Sequence, residues 1–527
     1  MKVFLLCLFC CMTTFTQGKD ITVKGNDDNW FRFASYYQNK MVLQREPHRA
    51  NIWGYGMLGA NMTLSISGTN YTTTVRVGPN KAFVWNFILP PYKAGGPFSI
   101  KVYHEFYGLL TWIELKDVLF GDVWVCSGQS NMQFTVSMAF NLTEELKAAS
   151  NYNKIRLLTV GSVEYLFPLY DLVSVIQRWS IPSAETLVGP PWTYFSAVCW
   201  FYGKKLYEVL DVPIGLISSA YIGSAIEPWS SPDALKTCGL FKPNLTDINK
   251  IKNAAFPFVN SILWNVMIHP LLNMTIKGVI WYQGESNTEY HNEHYSCSFP
   301  AMIRDWRLKW YEGTNENTHK QFPFGFVQLS AVGIDSIPND GKFPLIRWHQ
   351  TADYGYVPNK VMPNTFMAVT MDLPDLTSPL ESIHPRDKQD VAQRLLLGSL
   401  KVAYGHNVNS EGPLPSSVRS YGKSKILLQY PTTQHLIVQE KGNFEVCCDQ
   451  TKCKLADPYP SLVWKWAPIS AHTNHTITLD AQKCRNIGVP AQFVRYAWAL
   501  APCKFKQCSV YNNNGLPAPP FFLPVIL

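Results

Sequence analysis

Two periodicities divide the chain. From about Ile21 to Ile113, apolar and polar residues alternate over short stretches broken by turn residues. The alternation is clearest in Thr63–Ser67, Thr72–Val77 and Phe98–Val102. Period-two segments bury one face each, and several in a row predict a β-sandwich module. From Asp117 the texture changes to continuous apolar runs followed by segments of helical spacing, the pattern of a parallel α/β sheet. Val118–Val125, Ile214–Ser218, Lys277–Tyr282, Phe324–Leu329 and Thr365–Met371 are the expected strands. Each ends in a polar loop carrying Gly or Ser, and in open α/β sheets the ligand site lies at these carboxyl ends. The segment Lys388–Tyr404 puts Val391, Ala392, Leu395, Leu396, Val402 and Ala403 at helical spacing, with Gly398 and Ser399 interrupting the stripe. After Gly405 alternation returns in Lys425–Leu428 and His435–Val438, and a proline-rich stretch runs from Leu516 to Leu527.

For 527 residues the length suggests about three domains. The pattern places them at residues 19–115 (a β-sandwich module), 116–405 (the α/β unit) and 406–527 (a β-rich, Cys-rich module). No internal repeat is found. A literal G-x-G-x-x-G stands at Gly54, Gly56 and Gly59. A dinucleotide loop needs a helix after it, whereas Ala60-Asn61-Met62-Thr63 leads into another strand, so these glycines are read as turns.

Residues 1–18 change the expected compartment. Lys2 precedes the apolar run Val3 to Phe15, and Thr16-Gln17-Gly18 supplies small residues for cleavage, as in a secretory signal peptide. The run is shorter than the ~20 residues of a membrane span, and no later stretch is long and apolar enough to be one. The expectation is a secreted or lysosomal protein. Of the 13 cysteines, Cys7, Cys10 and Cys11 fall in the leader. The others are Cys126, Cys199, Cys238, Cys297, Cys447, Cys448, Cys453, Cys484, Cys503 and Cys508, an even set that suggests disulfides of unreadable pairing. No His or paired C-x-x-C accompanies them, which disfavours metal. N-x-S/T acceptors stand at Asn61, Asn70, Asn141, Asn244, Asn273 and Asn474. The net charge of +8 forms no Lys/Arg run, which argues against nucleic acid and leaves an anionic small substrate open.

Three motifs carry candidate chemistry. In Gly121-Asp122-Val123-Trp124-Val125-Cys126-Ser127-Gly128-Gln129-Ser130-Asn131-Met132, an apolar strand runs into a turn presenting Ser130 just before an expected helix. A nucleophile profits there from free backbone N–H groups where an oxyanion would form; a helix N-cap is the plainer job of such a serine. No G-x-S-x-G elbow occurs, which disfavours the α/β-hydrolase fold. The second motif is Trp281-Tyr282-Gln283-Gly284-Glu285-Ser286-Asn287, where Gln283 and Asn287 offer amide donors and Glu285 could fix one of them; a self-capping polar loop is the alternative. The third is Ser382-Ile383-His384-Pro385-Arg386-Asp387-Lys388-Gln389. It puts His384 at a loop-to-helix junction, with Pro385 as the expected first helical residue. There His384 is a general base or a surface histidine.

Taken together and in this order, the three motifs resemble the SGNH hydrolase superfamily. Within it the whole chain closely resembles the animal sialate O-acetylesterase family. Phe31-Arg32-Phe33-Ala34-Ser35-Tyr36, Ser196-Ala197-Val198-Cys199-Trp200 and Val494-Arg495-Tyr496-Ala497-Trp498 are among the shared segments. The resemblance implies a flavodoxin-like parallel-sheet catalytic domain flanked by β-sandwich-type modules. It also implies a serine esterase that removes 9-O- and 4-O-acetyl groups from sialic acids, free or on glycoconjugates, with no metal or organic cofactor. Carried over residue by residue, Ser130 is the nucleophile and His384 the base. The oxyanion hole comprises the N–H groups of Ser130 and Gly223 with the side chain of Gln283, supported by Asn287. Many superfamily members place an Asp three residues before the histidine, where this chain has Glu381. Asp375 and Asp372 lie further upstream, and Asp375 is the preferred acid, with an acid-free dyad as the alternative. The family's Trp-Gly-Gly is Tyr221-Ile222-Gly223 here, so Ile222 would distort the site if its position required a positive φ. Arg347 could hold the substrate carboxylate as a bidentate fork, or could be a structural ion pair. Esterases of neutral acetylated sugars, and a glycan-binding homologue that has lost catalysis, are the competing readings.

Overall fold

The computed structural model describes the backbone of Thr22–Lys24, then residues 30–241 and 259–526, apart from 335, 338, 423, 440, 441, 450 and 458–460. The expected leader (residues 1–18) and the acceptor Asn244 lie outside the described residues. The chain folds as a mixed α/β protein with small antiparallel sheets at either end of the sequence.

The elements that build the site are, in chain order, β1 (Leu109–Gly128), α1 (Ser130–Gln133), β2 (Ile155–Val160), β3 (Val175–Ser180), α2 (Ala197–Leu210) and β4 (Ile214–Ala220). They continue with β5 (Gly278–Tyr282), α3 (Tyr295–Gly313), β6 (Phe324–Gln328), α4 (Lys342–His349), β7 (Thr365–Val369) and α5 (Lys388–Tyr404). The strands lie in the order β3-β2-β4-β1-β5-β6-β7. All neighbours are parallel except the edge strand β3, which runs antiparallel to β2. The parallel strands are buried along nearly their whole length, which is why they read as continuous apolar runs rather than alternations. The chain winds to one side of β1 through β2 and β4, then crosses to the other side with β5. This reversal makes the carboxyl end of β1 the switch point where doubly wound sheets bind ligands.

β1 is longer than the sequence pattern suggested. Its first half pairs antiparallel with Gly95–Phe106 in the N-terminal sheet, and its second half enters the parallel sheet at Asp122. The expected division at 115/116 therefore falls inside a strand. An irregularity between Leu115 and Val118, with Asp117 at φ 55°, breaks the alternation there without ending the element. One core runs from Ile52, Leu64 and Ile100 through to Val125, Ile217 and Ile280. Gly54 is a strand residue within Asn51–Tyr55 rather than a turn; a Cβ on it would stand 2.4 Å from the Trp85 ring.

Helix α5 has the expected bounds. Asp387 caps it by accepting from Asp390 N at 3.1 Å, and Gly405 at φ 70° closes it. Gly398 interrupts the apolar stripe because the helix crosses closely over β7, where a Cβ would meet the Phe366 ring at 2.5 Å. Pro385 stands before the cap, outside the helix. All ten remaining cysteines pair, as Cys126–Cys199, Cys238–Cys297, Cys447–Cys453, Cys448–Cys484 and Cys503–Cys508. Beyond Gly405, short antiparallel sheets enclose a second core, with Val446, Leu479, Val494 and Tyr496, which also takes in Trp348 and Val369 of the α/β unit.

Candidate active site

Gly128 ends β1 at φ +143°, where a Cβ would lie 2.1 Å from the Tyr282 carbonyl oxygen, so the turn into Ser130 needs a glycine. Gln129 then ties this turn to the loop after β5. Its N–H donates to Tyr282 O at 3.0 Å, and its Oε1 accepts from Gly284 N and Ser286 N, each at 3.2 Å. The Cys126–Cys199 disulfide joins the same strand to α2. Ser130 is the first residue of α1 rather than its cap, and α1 is a single turn of four residues. Its hydroxyl points to His384, with Ser130 Oγ 2.9 Å from His384 Nε2.

The tautomer of His384 follows from its other nitrogen. Nδ1 lies 2.7 Å from the Leu380 carbonyl, which can only accept, so Nδ1 carries the proton. Nε2 is then bare and accepts from the Ser130 hydroxyl, the arrangement in which an imidazole takes a proton from a nucleophile. The ring is packed edge-on against Trp192 with centroids 5.0 Å apart. Burial lowers the His384 pKa to about 4; the Leu380 carbonyl opposes this, and the charge of Lys388 adds to it.

No carboxylate among the three candidates bonds His384. Asp375 is clamped by Arg386, with Nε to Oδ2 at 2.7 Å, Nη2 to Oδ1 at 2.9 Å and the Arg386 N–H to Oδ2 at 3.2 Å. Burial works to raise the Asp375 carboxyl, but the Arg386 hydrogen bonds and charge outweigh it and hold it below its ordinary value. Asp372 is buried against Arg394 and accepts from Tyr511 OH at 3.1 Å. Glu381 is exposed, at φ 67°. The preferred acid thus holds the segment that follows His384, while a backbone carbonyl orients the ring.

Tyr221 N donates to Gly128 O at 3.0 Å and sets the loop after β4 beside the Ser130 turn. Gly223 adopts φ +70° in this loop, so the left-handed residue is Gly223 and Ile222 needs no such conformation. Ile222 is 44% exposed. The N–H groups of Ser130 and Gly223 have no acceptor among the described residues. Gln283 and Asn287 differ from expectation, because their amide hydrogens are already taken. Gln283 Nε2 donates to Ser224 O at 3.2 Å and Asn287 Oδ1 at 2.8 Å, and its Oε1 accepts from Tyr295 OH. Asn287 Nδ2 donates to Glu227 Oε2 at 3.1 Å and Tyr290 O at 2.9 Å. Arg347 is not at the site. Fully buried, it donates to the carbonyls of Leu329, Ser330, Ala499 and Leu500, so its role is structural bracing through carbonyls.

A buried unit missed in the sequence underlies Ser130. Lys388 Nζ donates to Asn131 Oδ1 at 2.7 Å, and Asn131 Nδ2 donates to Glu285 Oε1 at 2.7 Å and Ile383 O at 2.9 Å. Burial pushes the Lys388 ammonium down to about 7 and raises the Glu285 carboxyl. Lys388 also sits over the rings of Phe134 and Tyr282 at 4.6 and 5.3 Å. Its signal in the sequence was position: a lysine opening a helix works against the helix dipole and needs a specific partner. No cluster of three or more His, Cys, Asp or Glu side chains suited to a metal occurs among the described residues.

This combination, a serine–histidine pair at the switch point of a doubly wound sheet, defines an SGNH-type serine hydrolase. Residues 120–379 match the family described as carbohydrate esterase, sialic acid-specific acetylesterase, and residues 416–525 match the sialate O-acetylesterase C-terminal domain. The chain belongs to the sialate O-acetylesterase family. It is 47% identical to the sialate O-acetylesterase of Pongo abelii over 498 residues, covering 93% of this chain and 92% of that one. The Homo sapiens sialate O-acetylesterase is also 47% identical, over 500 residues and the same shares. A carbohydrate acetylesterase from Xanthomonas citri has a similar structure, with TM-score 0.74 and 26% identity, covering 93% of this chain and 99% of that one.

Proposed function

We propose that this chain hydrolyses O-acetyl esters of sialic acid, at the 9-O and also the 4-O position, free or on glycoconjugates, and releases acetate. The observation that carries the reading is the 2.9 Å contact between Ser130 Oγ and the unprotonated Nε2 of His384. Ser130 attacks the acetyl carbonyl while His384 Nε2 takes its proton. The tetrahedral intermediate collapses, and the sugar oxygen leaves with that proton. Water, deprotonated by the same nitrogen, then attacks the acetyl-enzyme and frees acetate and Ser130. The N–H groups of Ser130 and Gly223 hold the oxyanion, and each such donor is worth about 3 kcal/mol of transition-state stabilisation. Gln283 Nε2 joins them only by giving up Ser224 O, the longer of its two bonds. Asn287 keeps Gln283 in place. Family membership supports the sialic acid substrate over neutral acetylated sugars. The motive for a binding-only homologue weakens, because Gly223 rather than Ile222 takes the positive φ.

The protein works in the secretory pathway, secreted or lysosomal, after loss of residues 1–18; five disulfides support this. We take its functional units as residues 19–115, 116–405 and 406–527; the second core, shared with Trp348 and Val369, supports the last of them, and β1 runs on across the first division. The test is acetate release from 9-O-acetylated and 4-O-acetylated sialic acid and acetylated xylose, with Ser130→Ala as control. Release confined to sialic acid and lost in the variant is expected. Release from xylose alone overturns the substrate class, and release that survives Ser130→Ala overturns the nucleophile.

A further inference from the structure

One cleft lies apart from the active site, between the N-terminal sheet and the α/β unit. Strands Asn51–Tyr55 and Phe83–Ile88 pair so that Trp53 faces Asn86 across the ladder and Tyr55 faces Val84. Side chains alternate along strands, which gathers Asn51, Trp53, Tyr55 and Asn86 on one face. Tyr170 and Asn273 of the α/β unit close the other side, leaving a cavity of about 170 Å³. That is smaller than a site for a drug-sized ligand and suits a single ring.

Two amide oxygens beside the cleft lack donors, while the Tyr55 and Tyr170 hydroxyls bring donors of their own. Asn51 is 2% exposed and gives Nδ2 to the Asn273 carbonyl at 2.7 Å, which fixes its amide orientation. Its Oδ1 is then the free end, buried and unpartnered, and Asn86 Oδ1 is unpartnered as well. Buried acceptors without donors are costly, so the cleft favours an occupant that brings O–H or N–H groups together with apolar faces for the aromatic walls. A pyranose sugar has both. Asn273 is itself an N-x-T acceptor, and it alone of the five in the described residues is half-buried. Asn61, Asn70, Asn141 and Asn474 are exposed.

We propose that this cleft is a sugar-binding site whose occupant is the N-acetylglucosamine attached to Asn273. Its ring packs against Tyr55 and Tyr170, and its hydroxyl and acetamido N–H groups donate to Asn51 and Asn86 after a small shift of those two side chains, whose oxygens are otherwise shielded. The glycan thereby pins the N-terminal sheet to the α/β unit. The proposal rests on entry into the secretory pathway as read above.

The experiment uses the full chain secreted from a eukaryotic host and treated, still folded, with peptide-N-glycosidase. Glycopeptide mass spectrometry follows each acceptor over time. The Asn273 glycan is expected to be released at least tenfold more slowly than those on Asn61, Asn70, Asn141 and Asn474. In Tyr170→Ala it is expected to approach their rate. Equal rates in the wild type, or a slow release unchanged by Tyr170→Ala, overturn the proposal. A bare Asn273 beside occupied acceptors elsewhere also overturns it and leaves the secretory reading standing. Glycan on none of the acceptors overturns both. If Asn273 is bare and N-acetylglucosamine added in solution perturbs the Tyr170 resonances, the sugar has an outside source and the assignment to Asn273 fails.

Discussion

Lys388 Nζ bonds Asn131 Oδ1 at 2.7 Å, which couples the first residue of α5 to the residue following the nucleophile. Through Nδ2 the same amide reaches Glu285 and the Ile383 carbonyl, one residue before the base. The Ser130 turn, the loop after β5 and the His384 segment are therefore held through one side chain. This explains how Ser130 and His384, 254 positions apart, keep their contact without a carboxylate on the histidine.

Lys388→Met keeps most of the side-chain volume and removes the charge. Removing the ammonium leaves Asn131 Oδ1 buried without its donor, which costs about 1–3 kcal/mol of stability. We expect kcat/KM to fall about 10–100-fold in the molecules that fold, the usual cost of losing a supporting partner of reactive groups. The acid limb of the pH profile should also move upward, because the Lys388 cation helps hold the His384 pKa down. Unchanged kcat/KM and an unmoved limb would reduce Lys388 to a packing role.

The pH dependence of the wild type follows from His384. With its pKa at about 4, the base is already free at pH 5, and kcat/KM should rise through about 4 and then level off. Stability changes in the same direction. Between about 4 and the ordinary value of 6.5 the unfolded chain binds a proton on this histidine that the folded chain does not. The stability contribution is thus complete above 6.5 and is lost as the pH falls toward 4. An acid limb near 6.5 in kcat/KM would mean that the imidazole is more hydrated than its burial against Trp192 implies.

Asp375→Asn separates a dyad from a triad. Where a carboxylate orients the catalytic imidazole, its amide variant loses about 10⁴-fold in kcat. Here Asp375 touches Arg386 and leaves His384 to Leu380 O. We expect a loss of about tenfold, from loosening of the loop, with the His384 limb in place. A loss near 10⁴-fold would show that Asp375 reaches His384 during the reaction.

Five strands of the sheet and helix α5 were legible in the sequence because each leaves a local mark, an apolar run or helical spacing, whereas β2 and β3 were not expected and Ser130 and His384 were paired only through the family resemblance. What could not be read depended on distant partners. Nothing near Asp375 announces that Arg386 takes both its oxygens, and nothing near Gln283 announces that Ser224 and Asn287 use up its amide hydrogens. The length of β1 was hidden for another reason, since its irregularity near Asp117 has the texture of a boundary. Disulfide pairing likewise depends on which strand lies beneath which helix, as with Cys126 and Cys199.

Arg347 tests the distinction between holding substrate and holding the fold. Its guanidinium spans the loop after β6 and the chain at Ala499 and Leu500, with four carbonyl bonds between 2.6 and 2.9 Å. Burial lowers its pKa to about 9, so the charge persists at neutral pH, balanced by the carbonyls and by the Phe343 ring 5.0 Å away. A lysine cannot reproduce this fork, because its single ammonium reaches fewer of the four oxygens and leaves the others buried and unpaired. Arg347→Lys should therefore cost about 3 kcal/mol or more of stability, read as a lower midpoint in thermal or urea unfolding. KM for O-acetylated sialic acid should remain within about twofold of wild type in the folded fraction. A KM raised tenfold or more, with the unfolding midpoint unchanged, would instead return Arg347 to the substrate carboxylate.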